Sequence, residues 1–165
     1  MKTSDSETLS LTHSARQLRL PNEAATRALG GRVADFLRPG DLVALNGDLA
    51  MGKTVLARGV IGAFFSDVTV PSPTFTLVQI YKTDKFPISH VDLYRLDKLE
   101  DVFELGLEEA LDEGVVLMEW PERWGAYLPV DRLDITLSMP NAQSEMERMA
   151  YLSGSERWMD VIANV

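Results

Sequence analysis

Short apolar runs separated by turn-forming residues divide this chain into strand-length and helix-length blocks. Arg16–Leu20 predicts a short edge strand. Pro21-Asn22 then predicts a helix start, with Asn22 as N-cap and Glu23 favourably placed in the first turn. Ala25, Leu29, Val33, Phe36 and Leu37 recur at helical spacing, Gly30-Gly31 predicts a weak point, and Pro39-Gly40 ends the helix. Asp41–Asn46 has the character of a buried strand, Gly47–Thr54 of a glycine-bearing loop, and Val55–Phe65 of an apolar helix. Beyond the stiff Pro71-Ser72-Pro73 connection, Thr74–Lys82 and Phe86–Tyr94 predict two strands close enough to form a hairpin. Pro87 falls near the start of the second, where a missing N–H is tolerable.

Leu99–Leu111 predicts an acidic helix broken at Gly106, and Val115–Met118 a buried strand ending at Glu119. Leu133–Met139 and Met149–Ser153 predict strands, and Ser155 predicts the cap of a final helix with Trp158 and Ile162. Strand, loop and helix followed by several strands imply an α/β fold, a single domain over residues 13–165 with a mixed central β-sheet flanked by helices. Residues 1–12, polar and Ser/Thr-rich, predict a flexible extension.

Composition narrows the functional classes. A chain of 165 residues, 45% hydrophobic, is long enough to bury a core without staples. With no cysteine there is no disulfide framework and no thiolate metal site. His13 and His90 are too far apart in sequence for a metal-ligand spacing. The start lacks a basic and apolar leader, and no window approaches the roughly 18 apolar residues of a membrane span, so the expectation is cytoplasmic. A net charge of −9 argues against a protein that grips nucleic acid by itself.

Gly47-Asp48-Leu49-Ala50-Met51-Gly52-Lys53-Thr54 fits the phosphate-loop pattern Gly-x-x-x-x-Gly-Lys-Ser/Thr. Glycines let the backbone curl so that several N–H groups, with the following helix N-terminus, face one anion. In this reading Lys53 reaches the β- and γ-phosphates of ATP, and Thr54 offers its hydroxyl to Mg²⁺. The motif follows an apolar strand and opens an apolar helix, as the chemistry requires. Such a site also needs a carboxylate near the metal and a group that positions the attacking water. Two apolar runs end in an acid, Ile88–Asp92 and Val115–Glu119, and the sequence leaves both available. Thr74 and Thr76 lie where a loop can order around a γ-phosphate.

Several motifs together resemble the TsaE family, bacterial ATPases of tRNA threonylcarbamoyladenosine synthesis. They are the phosphate loop, Ser72–Val78 (SPTFTLV), His90–Leu96 (HVDLYRL) and Glu119–Glu122 (EWPE), with Gly106 also matching. The resemblance spans Leu20 to about Pro129. It implies that Asp48, Leu49, Ala50, Met51, Gly52, Lys53, Thr54 and Val55 bind ATP, and that Thr54 and Glu119 hold Mg²⁺. It further implies that Asp92 serves hydrolysis, that Thr74 and Thr76 lie in a switch-like segment, and that Trp120 sits beside the nucleotide. Glu23 is implied near the base. Lys53, Asp92 and Glu119 are thus the implied catalytic set, and the implied partner is the TsaB–TsaD complex. The tRNA would be reached only through those partners.

The chain departs from the family at two points. The loop usually reads Gly-Ala where Ala50-Met51 stand, and a β-carbon at position 50 restricts a positive φ. A second loop threonine is Val55 here. Two rival readings are a small-molecule kinase and a nucleotide switch without turnover. A kinase needs arginines in a lid, and Arg58, Arg95, Arg123 and Arg132 are scattered. A GTPase's Asn-Lys-x-Asp is absent.

Overall fold

The apolar run after Asp41 forms β2 at the centre of the structure, a computed structural model that describes residues 14–165. The extension expected over residues 1–12 lies outside the described residues, as does His13. In chain order the elements are β1 (Ser14–Leu20), α1 (Glu23–Ala34), β2 (Leu42–Asn46), α2 (Lys53–Gly62), β3 (Val78–Lys82) and β4 (Pro87–Asp92). They continue with α3 (Leu99–Phe103), α4 (Leu107–Glu113), β5 (Val115–Glu119), a 3₁₀ segment (Pro121–Tyr127), β6 (Leu133–Ser138), β7 (Arg148–Gly154), a 3₁₀ turn (Glu156–Trp158) and α5 (Met159–Asn164).

One sheet takes all of these strands in the order β1-β7-β6-β2-β5-β4-β3. Its middle, β6-β2-β5-β4, is parallel, and β7, β1 and β3 add antiparallel edges. The mixed sheet and the β3–β4 hairpin agree with the sequence. Alternate residues feed two cores. Val43, Leu45, Val115 and Leu117 face α1 and α2, whereas Leu42, Val116 and Met118 face Leu107, Val102 and Trp124.

Helix α1 begins as expected, with Asn22 Oδ1 accepting the Ala25 N–H at 2.9 Å. Gly30 does not weaken it. A Cβ there would lie 2.3 Å from the Leu56 carbonyl oxygen, and one at Gly59 would lie 2.0 Å from that of Arg27. Close backbone approach of α1 and α2 uses these glycines, and packing offsets their poor helix propensity.

Three expectations are corrected. Helix α2 starts at Lys53, two residues before Val55, because the phosphate loop closes directly into it. Thr74–Leu77 is a turn rather than the start of a strand: Leu77 N–H bonds the Pro73 carbonyl at 2.7 Å, and Thr74 is drawn aside by Asp92. Ser155 sits at the cap position but gives its hydroxyl to Asp131 instead of the helix.

Candidate functional site

The site grows from the carboxyl ends of β2, β4 and β5. Gly47 turns the chain out of β2 at φ 135°, and a Cβ there would lie 2.5 Å from the Leu137 carbonyl oxygen. Gly52, at φ 102°, precedes α2 with no side-chain cap, so the first amides of this helix are free for an anion. Lys53 opens α2 and is only 5% exposed. Its Nζ donates to the Gly47 and Asp48 carbonyls, the latter at 2.8 Å, and lies 4.2 Å from the Trp120 ring centroid. Burial pushes its ammonium below the ordinary lysine value, against the opposing pull of Glu119, Asp92, Glu122 and Asp48.

Parallel register sets Asp92 beside Glu119, and Glu119 beside Leu45 of β2. Both carboxylates are buried. Thr54 Oγ1 donates to Glu119 Oε1 at 2.9 Å, and His90 Nε2 meets the same oxygen at 2.8 Å. With the carboxylate accepting, His90 donates from Nε2, and its buried Nδ1 has no partner among the described residues. Asp92 accepts twice, from Thr74 Oγ1 at 3.0 Å and from Tyr94 N–H at 2.9 Å. The Tyr94 ring packs on Trp120 with centroids 4.9 Å apart.

These side chains surround a cavity of about 350 Å³. Leu49–Val55 form one wall, Ser72 and Thr74 another, and Asp92, Tyr94, Glu119 and Trp120 the floor and far side. Of the sequence-predicted residues, Asp48 lies outside the cavity lining and meets Lys53 through its carbonyl, Thr76 is exposed and outside the cavity, and Glu23 lines a second cavity of about 220 Å³. Ala50, Met51, Gly52 and Val55 stand between the two and line both.

Three non-glycine residues have left-handed φ among the described residues: Ala50 (63°), Leu77 (65°) and Trp120 (59°). Ala50 and Trp120 line the first cavity, and Leu77 ends the turn that carries Thr74. Such backbone costs about 1–2 kcal/mol per residue, and two of the three positions line the first cavity. Ala50 thus adopts the angle that its β-carbon disfavours.

Thr54 and Glu119 present hard oxygen donors from two elements. That suits Mg²⁺, which takes one or two protein oxygens and completes its shell with phosphate and water. Among the described residues no cluster of three or more His, Asp or Glu forms an all-protein cage.

Residues 20–149 match the family model of TsaE, the threonylcarbamoyl adenosine biosynthesis protein. The chain belongs to the TsaE family. Within it, the chain is 49% identical to tRNA threonylcarbamoyladenosine biosynthesis protein TsaE of Rickettsia felis over 62% of this chain and 61% of that protein. It is 43% identical to the Rickettsia bellii TsaE over 73% and 84% of the two chains. The match therefore spans about three-fifths of the Rickettsia felis relative's length. The crystal structure of Bacillus subtilis YdiB aligns with a TM-score of 0.75 at 27% identity, covering 92% of this chain and 93% of that one. The TsaE motifs converge on one cavity although they lie up to 72 residues apart, Gly47 opening the first and Glu119 the last. Sequence reasoning missed the contact of His90 with Glu119. The signal was present, since His90 and Asp92 lie two apart on a strand and share a face. It also missed Tyr94 and Ser72, and nothing local marked Arg148, which reaches the phosphate loop from β7. No helix of the described residues is long and apolar enough to cross a membrane.

Proposed function

We propose that this protein binds ATP with Mg²⁺ in the first cavity and hydrolyses it in the service of threonylcarbamoyladenosine modification of tRNAs reading codons that begin with A. The observation that carries this reading is the convergence of Lys53, Thr54, Asp92 and Glu119 on one cavity at the carboxyl ends of parallel strands.

Lys53 is held at the cavity by two loop carbonyls that a phosphate would replace as its partners. Burial holds the Lys53 pKa below its ordinary value, so an incoming anion would stabilise the charged form that burial penalises. Thr54 and Glu119 would hold Mg²⁺, whose charge offsets that of the phosphates as the bond breaks. His90 fixes the Glu119 carboxylate from below. In hydrolysis a water oxygen bonds to the γ-phosphorus, the bridging bond to the β-phosphate breaks, and the water's proton leaves. Asp92, held by Thr74 and Tyr94, orients that water and takes its proton.

Family membership supports an action on the TsaB–TsaD pair, and the net charge of −9 suits a protein that leaves tRNA binding to partners. The test is ATP hydrolysis by the purified protein with Mg²⁺, alone and with the TsaB–TsaD pair and tRNA, alongside Lys53→Ala. Slow turnover alone, stimulation by the pair and loss in the variant support the reading. Equal turnover with and without the pair removes the partner claim.

A switch without turnover is favoured by one observation: both Asp92 oxygens already accept hydrogen bonds, so neither is idle. If Asp92→Ala binds ATP and sustains tRNA modification as well as wild type, that second reading replaces the first.

A further inference from the structure

Arg148, the first residue of β7, lies 97 residues from Met51 in sequence, yet its guanidinium reaches the phosphate loop. Nε donates to the Met51 carbonyl at 3.2 Å and Nη2 to the Ala50 carbonyl at 3.3 Å. Nη1 donates to the Glu145 and Glu147 carbonyls, both at 2.9 Å. One planar fork thus ties the β6–β7 connection to the crown of the loop. Arg148 lines the second cavity and not the first, so it stands behind the loop relative to Lys53 and Glu119.

A peptide unit is planar, with its C=O and N–H pointing in opposite directions. Gripping the Met51 carbonyl from behind therefore turns the Gly52 N–H forward. That N–H has no acceptor among the described residues. The neighbouring Ala50 sits at φ 63°, which a residue with a β-carbon keeps only when its surroundings impose it. The two hydrogen bonds from Arg148 supply that restraint.

We propose that Arg148 is a positioning residue of the phosphate loop, holding Ala50 in its left-handed conformation and aiming the loop amides at the phosphates. This rests on the reading that the loop binds ATP. Arg148 acts through the backbone at positions 50 and 51 and touches no reacting atom.

The test uses the full chain as wild type, Arg148→Ala, Arg148→Lys, Ala50→Gly and the Arg148→Ala/Ala50→Gly double variant. Two quantities are measured: calorimetric ATP affinity with Mg²⁺, and amide hydrogen exchange of residues 49–53 without nucleotide. Arg148→Ala is expected to weaken ATP binding about tenfold, the scale of one or two lost hydrogen bonds, and to speed exchange at the loop. Arg148→Lys keeps the charge but not the fork, so it falls between wild type and Arg148→Ala. With glycine at position 50 the loop no longer needs the restraint against a β-carbon, and Arg148→Ala costs clearly less than in the Ala50 background. Wild-type affinity and exchange in both Arg148 variants, or an equal loss in both backgrounds, overturns the proposal. Wild-type protein that does not bind ATP brings down the underlying reading instead, and loop exchange still decides whether Arg148 orders the loop.

Discussion

At the amino end of β2, Asp41 is buried against Arg157; at the carboxyl end of the same strand, Lys53 is buried against the carbonyls of its own loop. Asp41 is closed in. It accepts the Arg38 N–H at 2.9 Å and Arg157 Nη2 at 2.8 Å, while Arg157 also grips the Phe36 carbonyl and stacks on Trp158. This pair pins the C-terminal segment to the end of α1, and neither residue lines either of the two cavities at the phosphate loop. Lys53, Asp92 and Glu119 instead face open space of about 350 Å³, held by loop carbonyls, Thr54, His90, Thr74 and the Tyr94 N–H. Buried charge therefore does not by itself mark a site. What separates the two ends is whether the buried charges face an open cavity.

Four measurements probe this contrast. Asp92→Asn keeps the hydrogen-bonded shape but loses the proton acceptor, so single-turnover ATP hydrolysis should fall about 10²–10⁴-fold with ATP affinity retained. An unchanged rate would remove Asp92 from the hydrolysis step.

Arg157→Ala leaves Asp41 buried without its cation and should lower unfolding free energy by about 2–3 kcal/mol in urea titrations, with ATP binding unaffected. A loss of ATP binding equal to that of a site variant would show that the two ends are not independent.

The same pair carries a pH signature. Burial already raises the Asp41 pKa above the ordinary aspartate value despite Arg38 and Arg157. The native state thus holds this proton more tightly than the unfolded chain, so its contribution to stability falls as pH rises through the interval between the ordinary and the raised value. Removing Arg157 raises the value further. The stability gap between wild type and Arg157→Ala should accordingly be widest near neutral pH and narrow as pH falls toward about 4. A gap independent of pH would sever it from Asp41 ionisation.

Lys53→Met gives the smallest stability change and the most telling sign. Burial lowers the Lys53 pKa, so the charged form is penalised in the native state, and that penalty is relieved only as pH rises from the lowered value toward the ordinary one. Replacing the ammonium by a neutral side chain of similar length should leave Tm at or slightly above wild type at neutral pH. A clear drop in Tm would mean that the loop carbonyls and Trp120 make Lys53 a structural group like Arg157.

Much of this arrangement is legible in the sequence because it is local. The Asn22 cap, the apolar β2 and β5 and the phosphate loop each depend on neighbours a few residues away. Thr74–Leu77 misled because its β-branched and aromatic residues satisfy strand propensity, while the Thr74 hydroxyl is taken by Asp92, 18 positions on, and the Leu77 N–H closes a turn onto Pro73. Gly30 misled in the opposite sense, since only the approach of Gly59 and Leu56 explains a glycine inside α1. Arg148 was illegible altogether, for a lone arginine at a strand start carries no mark of a loop nearly a hundred residues away.

Whether the cavity around Lys53 is an ATP site is decided by calorimetric titration of ATP with Mg²⁺ into wild type and Lys53→Met. Saturable one-to-one binding by wild type is expected, with affinity at least about a hundredfold weaker in the variant, the scale of a lost charge-assisted contact to phosphate. Equal affinity in a folded variant, or no binding by wild type, would contradict an ATP site there.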